Sequence, residues 1–191
     1  MSHPIILKSE KRSSRILRPE EFEKIRAVAK PYQQLWLDAL LTTGMRYEEL
    51  ILFQKNTTWL DKSFIHLPNE ANRKKKVLRQ RSVRLSRWGQ TIIPLFLSNS
   101  RRLPNRAGIR NDLLTWARQA GVSTEGISSK MFRKTWESWI TIKYPTINPK
   151  IILLSQGHND FVALNYYLSV PFTEEDKIGM SKYTDGYIEG V

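Results

Sequence analysis

Thr42-Thr43-Gly44-Met45-Arg46-Tyr47-Glu48-Glu49-Leu50 stops one helix and starts the next with no linker between them. Upstream, Pro31 opens a helix that sets Leu35, Trp36, Ala39 and Leu40 on one face, and Gly44 is placed to end it. Downstream, Arg46 begins a short helical stretch through Glu48-Glu49-Leu50-Ile51-Leu52-Phe53. Farther back, Pro19 suits a first helical turn and Glu20 and Glu21 follow where the helix dipole favours acids. Phe22, Ile25 and Val28 then keep helical spacing. Residues 1–17 are polar and basic without sustained periodicity, and read as an arm.

Beyond Phe53 the period changes. Trp59-Leu60, Phe64-Ile65-His66-Leu67 and the alternating Arg81-Ser82-Val83-Arg84-Leu85 read as strands, with the polycationic run Asn72 to Arg79 as the loop of a hairpin. Helices then return. Asn105 caps a run holding Ile109, Leu113, Trp116 and Ala120, stopped by Gly121. Ser128 or Ser129 caps one with Phe132, Trp136, Trp139 and Ile140, and Asn148-Pro149 opens one that ends at Gly157. Asn159 or Asp160 starts another, which includes Tyr166 and Tyr167. Thr173-Glu174-Glu175-Asp176 has capping-box form and should begin a last helix. The expected class is mainly α with one small antiparallel β-sheet or hairpin (α+β), without internal repeats or an obvious interdomain linker.

A chain of 191 residues fits one domain with short extensions, and 6 Trp, 7 Tyr and 7 Phe exclude disorder throughout. The absence of cysteine excludes a disulfide scaffold, a Cys-ligated zinc site and thiol catalysis. No apolar run reaches the roughly 18 residues needed to span a bilayer, and no apolar h-region follows Met1-Ser2-His3-Pro4. These features read as a soluble cytoplasmic protein with no membrane partner. Lys plus Arg number 31 against 18 Asp plus Glu, a formal charge of +13. The excess is concentrated: no acid lies between Glu70 and Asp112, a stretch carrying Arg73, Lys74, Lys75, Lys76, Arg79, Arg81, Arg84 and Arg87. Unpaired cations repel one another and call for an anionic partner, phosphodiester backbone by default. A solvated basic surface is the plainer alternative.

Three further points have chemical potential. Arg46 follows the Gly44 stop; Lys130 and Arg133 share one face of a helix start; His158 follows Gly157, with Tyr167 nine residues on. Singly, each has a structural explanation as an ion pair, a solvated face, a loop residue or a core-edge tyrosine. Together, in this order, they resemble the catalytic domain of the tyrosine recombinase (phage-type integrase) family. That family's first box, Thr-Gly-Leu-Arg-x-x-Glu-Leu, is similar to Thr43-Gly44-Met45-Arg46-Tyr47-Glu48-Glu49-Leu50. Its second, His-x-x-Arg-His-Thr, is similar to Lys130-Met131-Phe132-Arg133-Lys134-Thr135. Its third, Leu-Gly-His with the nucleophilic tyrosine nine residues later, resembles Gln156-Gly157-His158 and Tyr167. Arg18-Pro19-Glu20-Glu21-Phe22 resembles the usual start of this domain. Lys130, in place of the family's histidine, and the tail Pro171 to Asp176 are similar to archaeal members, viral, plasmid or chromosomal.

The resemblance implies a recombinase catalytic domain over 18–170. Residues 171–191 would be an acidic helix and tail that could dock on a neighbouring subunit. Members usually carry a further N-terminal DNA-binding domain, so the chain reads as either an excised fragment or a minimal member. The implied reaction breaks and rejoins double-stranded DNA through a 3′-phosphotyrosyl intermediate, without metal, ATP or other cofactor, on a dimer or tetramer assembled on DNA. Tyr167 would be the nucleophile, with Tyr166 its rival about 100° away on a helix. Arg46, Arg133 and His158 would hold the scissile phosphate, and a hairpin lysine, Lys76 or else Lys74, would protonate the leaving 5′-oxygen. Lys130 would assist at the nucleophile or the phosphate, Glu49 would orient Arg46, and Arg73, Lys74, Lys75 and Arg79 would grip DNA. Two alternatives share the fold or the chemistry: an inactive DNA-binding protein that kept it, and a type IB topoisomerase-like enzyme.

Overall fold

The computed structural model describes residues 4–9, 12–69, 80–99, 101–157 and 170–188, with the backbone alone over 7–9 and 12–14. The local stop signals fall where they should. Helix α1 (Pro19–Val28) and helix α2 (Pro31–Thr43) each begin on proline, and Gly44 closes α2 at φ +57°, a conformation that favours glycine. Helix α3 (Tyr47–Lys55) starts at Arg46 as N-cap. Phe22 and Ile25 of α1 are buried, whereas Val28, third in that series, is 39% exposed. Helix α2 is buried nearly all round from Trp36 to Thr43, as a central helix must be.

The sheet follows. Strands β3 (Leu60–Asp61), β4 (Phe64–Leu67) and β5 (Arg81–Arg84) are antiparallel in the order β3-β4-β5, with Ile65 opposite Val83 and Leu67 opposite Arg81. Ile65, Leu67 and Val83 all point into the main core. After it come α4 (Arg87–Ser98), α5 (Arg106–Gln119), α6 (Lys130–Lys143), α7 (Pro149–Gln156) and α8 (Glu174–Thr184). Asn105, Ser129, Asn148 and Thr173 are the N-caps of the last four.

Trp59, read as strand with Leu60, instead ends a 3-10 turn over Thr57–Trp59, and two larger elements were not expected. Residues 87–98 form α4 although Pro94 lies inside it; Pro94 is on the exposed side, so the missing N–H faces water while Ile92, Ile93 and Phe96 are buried. The second is a hairpin in the stretch read as an arm. Strand β1 (Ile5–Ser9) pairs with β2 (Arg12–Ile16), Ile5 opposite Ile16, and both of those side chains are buried. The hairpin is stitched to α6: the Leu17 amide donates to Thr135 Oγ1 at 2.9 Å and Trp139 Nε1 donates to the Leu17 carbonyl at 3.0 Å.

Helix α8 is seated on its own chain against α1, α4 and α6. Its Tyr183 meets Phe22 edge-to-face at 5.2 Å in the main core, and Asp176 pairs with the buried Arg18. Among the described residues no helix is long and apolar enough to cross a membrane.

Candidate active site

The Gly44 turn brings α2 and α3 against α6 and α7 more closely than any other residue would permit. A Cβ on Gly44 would sit 2.3 Å from Trp136 Cδ1 and 2.8 Å from Gln156 Nε2. That contact sets the Gly44 turn, two residues before Arg46, against α6 and α7. Arg46 fixes itself with the residue three positions on: its amide and its Nη1 both donate to Glu49, each at 2.8 Å. The rest of the guanidinium remains open, the side chain being 44% exposed.

Arg133, in the first turn of α6, is buried. Its Nη1 donates to the Gly44 carbonyl at 3.4 Å, its Nη2 donates to the Gln156 carbonyl, and its Nε lies 3.3 Å from Glu137 Oε1. Gln156 in turn donates from Nε2 to the Thr43 carbonyl at 3.2 Å. Segments 89 and 23 residues away in sequence are thus joined on one guanidinium. Lys130 is exposed at the start of α6, one turn before the half-buried Lys134. Burial pushes the Lys134 ammonium below the ordinary lysine value, Lys130 adds to that, and Glu137 opposes it.

A third arginine, absent from the sequence-derived site, completes the cluster. Arg81 opens β5 facing inward, and its Nη1 and Nη2 donate to Glu49 Oε1 and Oε2 at 3.2 and 2.7 Å. Its Nε donates to the Ser155 carbonyl at 3.1 Å. Burial pushes its pKa down to about 10 against the pull of Glu49, so it stays charged at neutral pH. The phase of β5 could have revealed it. Arg81 shares a face with Val83 and Leu85, and an arginine on a core-facing strand position needs a buried carboxylate. Gln156 and Glu137 had no comparable signal, because their roles rest on a backbone carbonyl and on burial.

Of the residues expected from the sequence, Glu49 holds Arg46, Arg133 holds the Gly44 carbonyl two residues before Arg46, and Lys130 is exposed three residues before Arg133 on α6. Lys76, Arg73, Lys74, Lys75, Arg79, His158, Tyr167 and its rival Tyr166 lie outside the described residues. Gly157, the residue before His158, ends α7 at φ +66°, and a Cβ there would meet Arg81 Cδ at 3.0 Å. The described cations Arg46, Arg81, Arg133, Lys130 and Lys134 outnumber Glu49 and Glu137, so the cluster is suited to an anion with several oxygens.

No family model and no curated protein matches the sequence. Solved structures do. XerA recombinase aligns with a TM-score of 0.60 at 14% identity, over 92% of this chain and 65% of that one. The Tn1549 transposon integrase, in complex with circular intermediate DNA, aligns at 0.60 and 16% identity, over 89% and 67%. XerH site-specific recombinase bound to difH substrate aligns at 0.57 and 17% identity, over 80% and 49%. The chain therefore spans about two thirds of the XerA chain and half of the XerH chain, and it carries the fold of these recombinases.

Proposed function

We propose that this recombinase fold is used for site-specific breakage and rejoining of double-stranded DNA through a phosphotyrosyl intermediate. What supports the reading most is Arg133, which ties the Gly44 turn before Arg46 to the Gln156-Gly157 end that precedes His158. Gly44 of the first box, Arg133 of the second and Gln156 of the third share that one guanidinium. Two of the matched structures hold DNA, which supports DNA as the partner; in the proposed reaction a dimer or tetramer would assemble on it.

In the proposed reaction the Tyr167 hydroxyl gives its proton to solvent water, from which Lys76 is later reprotonated, and its oxygen attacks the scissile phosphorus. The P–O5′ bond breaks, leaving a 3′-phosphotyrosyl link and a 5′-hydroxyl whose proton comes from Lys76. A 5′-hydroxyl of a second strand reverses the step, and the link preserves the phosphodiester's free energy, so no nucleotide is consumed. The phosphorane gathers charge on its equatorial oxygens. Arg46, with an open guanidinium edge, and Arg133 would each donate there, with His158 adding a further hydrogen bond. Lys130, exposed at the start of α6, would approach the phosphate or the nucleophile. Arg73, Lys74, Lys75 and Arg79 would hold the flanking backbone.

The test needs no knowledge of the target site. Supercoiled plasmid is incubated with the protein at low salt in EDTA and quenched in SDS. The reading expects relaxed plasmid and a covalent protein–DNA adduct, both lost in Arg133→Gln. Plasmid bound but never cleaved would mean that only the binding function of the fold survives.

A further inference from the structure

We infer that Arg81 is a positioning residue for Arg46, acting through Glu49; this rests on the recombinase reading above. Glu49 is nearly inaccessible, 3% exposed, and so is Arg81 at 4%. A carboxylate has two oxygens and about four acceptor directions. Here all are taken: Oε1 accepts from Arg46 Nη1 and Arg81 Nη1, and Oε2 accepts from the Arg46 amide and Arg81 Nη2. Arg81 therefore occupies the two-pronged face of Glu49. Arg46 is left with a single side-chain contact to it, and its other donors remain for a phosphate.

Arg81 is itself held from two sides. Its Nε donates to the Ser155 carbonyl in the last turn of α7, and its aliphatic stem fills the space a side chain at Gly157 would need. One guanidinium thus joins β5, α3 and the end of α7, fixing the carboxylate that aims Arg46. It also supplies surplus positive charge. Arg46 and Arg133 each face a glutamate, Glu49 and Glu137, and Arg81 adds a third guanidinium beside them. If Arg81 is removed, Glu49 has two acceptor directions to refill in a dry site. Arg46 is the nearest donor, and turning it onto Glu49 takes its open edge off the phosphate.

Lysine at this position keeps the charge but cannot form the fork. The full chain is compared with Arg81→Lys, Arg81→Gln and Arg46→Lys, and with each Arg81 variant combined with Arg46→Lys, in single-turnover adduct formation. DNA affinity is measured at one fixed salt concentration. Arg81→Gln is expected to slow cleavage about 100-fold, as small misplacements of a catalytic group do, with affinity changed less than about threefold. In the Arg46→Lys background the same change should slow cleavage less than about threefold, because the group it positions is already gone. Equal fractional losses in both backgrounds, or no loss in either, would overturn the inference. A second readout covers a variant that folds poorly and a protein that does not cleave: the Arg46 Nε–H signal in 15N NMR of the free protein. It should move in the charge-conserving Arg81→Lys variant, and an unmoved signal overturns the inference whatever the activity. A missing adduct from the unmodified chain, with the Arg46 signal moving as expected, would instead count against the recombinase reading alone.

Discussion

Replacing Gly44 by alanine tests the contact on which the cluster is built. Two terms add. A non-glycine residue in the left-handed region costs about 1–2 kcal/mol, and Gly44 lies there at φ +57°. The new methyl also meets Trp136 at 2.3 Å and Gln156 at 2.8 Å, and overpacking of this kind costs about 1–3 kcal/mol. Gly121 is the control, since it shares the backbone term at φ +66° yet has nothing within 4 Å of a built Cβ. The difference between the variants isolates the clash: about 1–3 kcal/mol, or roughly 2–12 °C in melting temperature for a chain of this size. Thermal melts of the two single variants measure it. The displaced Gln156 also carries a carbonyl that holds Arg133, so adduct formation should fall about 100-fold in Gly44→Ala and stay unchanged in Gly121→Ala. If Gly44→Ala melts as high as Gly121→Ala, the close approach of α2 to α6 and α7 is wrong.

Other perturbations have equally definite outcomes. Arg133→Lys cannot reach two backbone carbonyls and Glu137 together, so cleavage should drop about 10²–10³-fold in the adduct assay while far-UV circular dichroism stays native. Burial pushes the Glu23 carboxyl up, but hydrogen bonds from Lys182 and Tyr183 outweigh it and hold it below its ordinary value. Its stabilisation is then full above the unfolded-state value and lost as pH falls through the folded one. Urea midpoints of wild type and Glu23→Gln should accordingly differ at neutral pH and converge in acid; a constant gap would contradict the assignment. Lys74→Ala should lower the slope of log affinity for duplex DNA against log salt by about one, as expected for a lost phosphate contact.

The parts of the fold legible in the sequence are those fixed by local chemistry. Gly44, Pro19, Pro31, Asn105, Asn148 and Thr173 each satisfy or remove particular backbone groups, and helices begin or end there whatever surrounds them. Where tertiary packing chose, the pattern failed. Pro94 reads as a break, but α4 survives because the proline faces solvent while Ile92, Ile93 and Phe96 pack inward. Ile5 and Ile16 of the β1–β2 hairpin are buried in a cluster with Leu153 and Val170, partners far away in sequence that no local pattern supplies. The site divides the same way. Arg46, Glu49 and Arg133 were legible through the resemblance to the recombinase boxes, which fall at helix starts. Arg81 was missed because its role requires Glu49, whose partner lies 32 residues away and on a different element.

The most direct measurement identifies the residue that carries the DNA. A duplex nicked beside the scissile phosphate traps the linkage, and mass spectrometry of the digested adduct locates it. The proposed chemistry predicts a nucleotide on Tyr167, formed in EDTA, absent from Tyr167→Phe and retained in Tyr166→Phe. An adduct that persists in Tyr167→Phe, or one that forms only when a divalent metal is supplied, would contradict it.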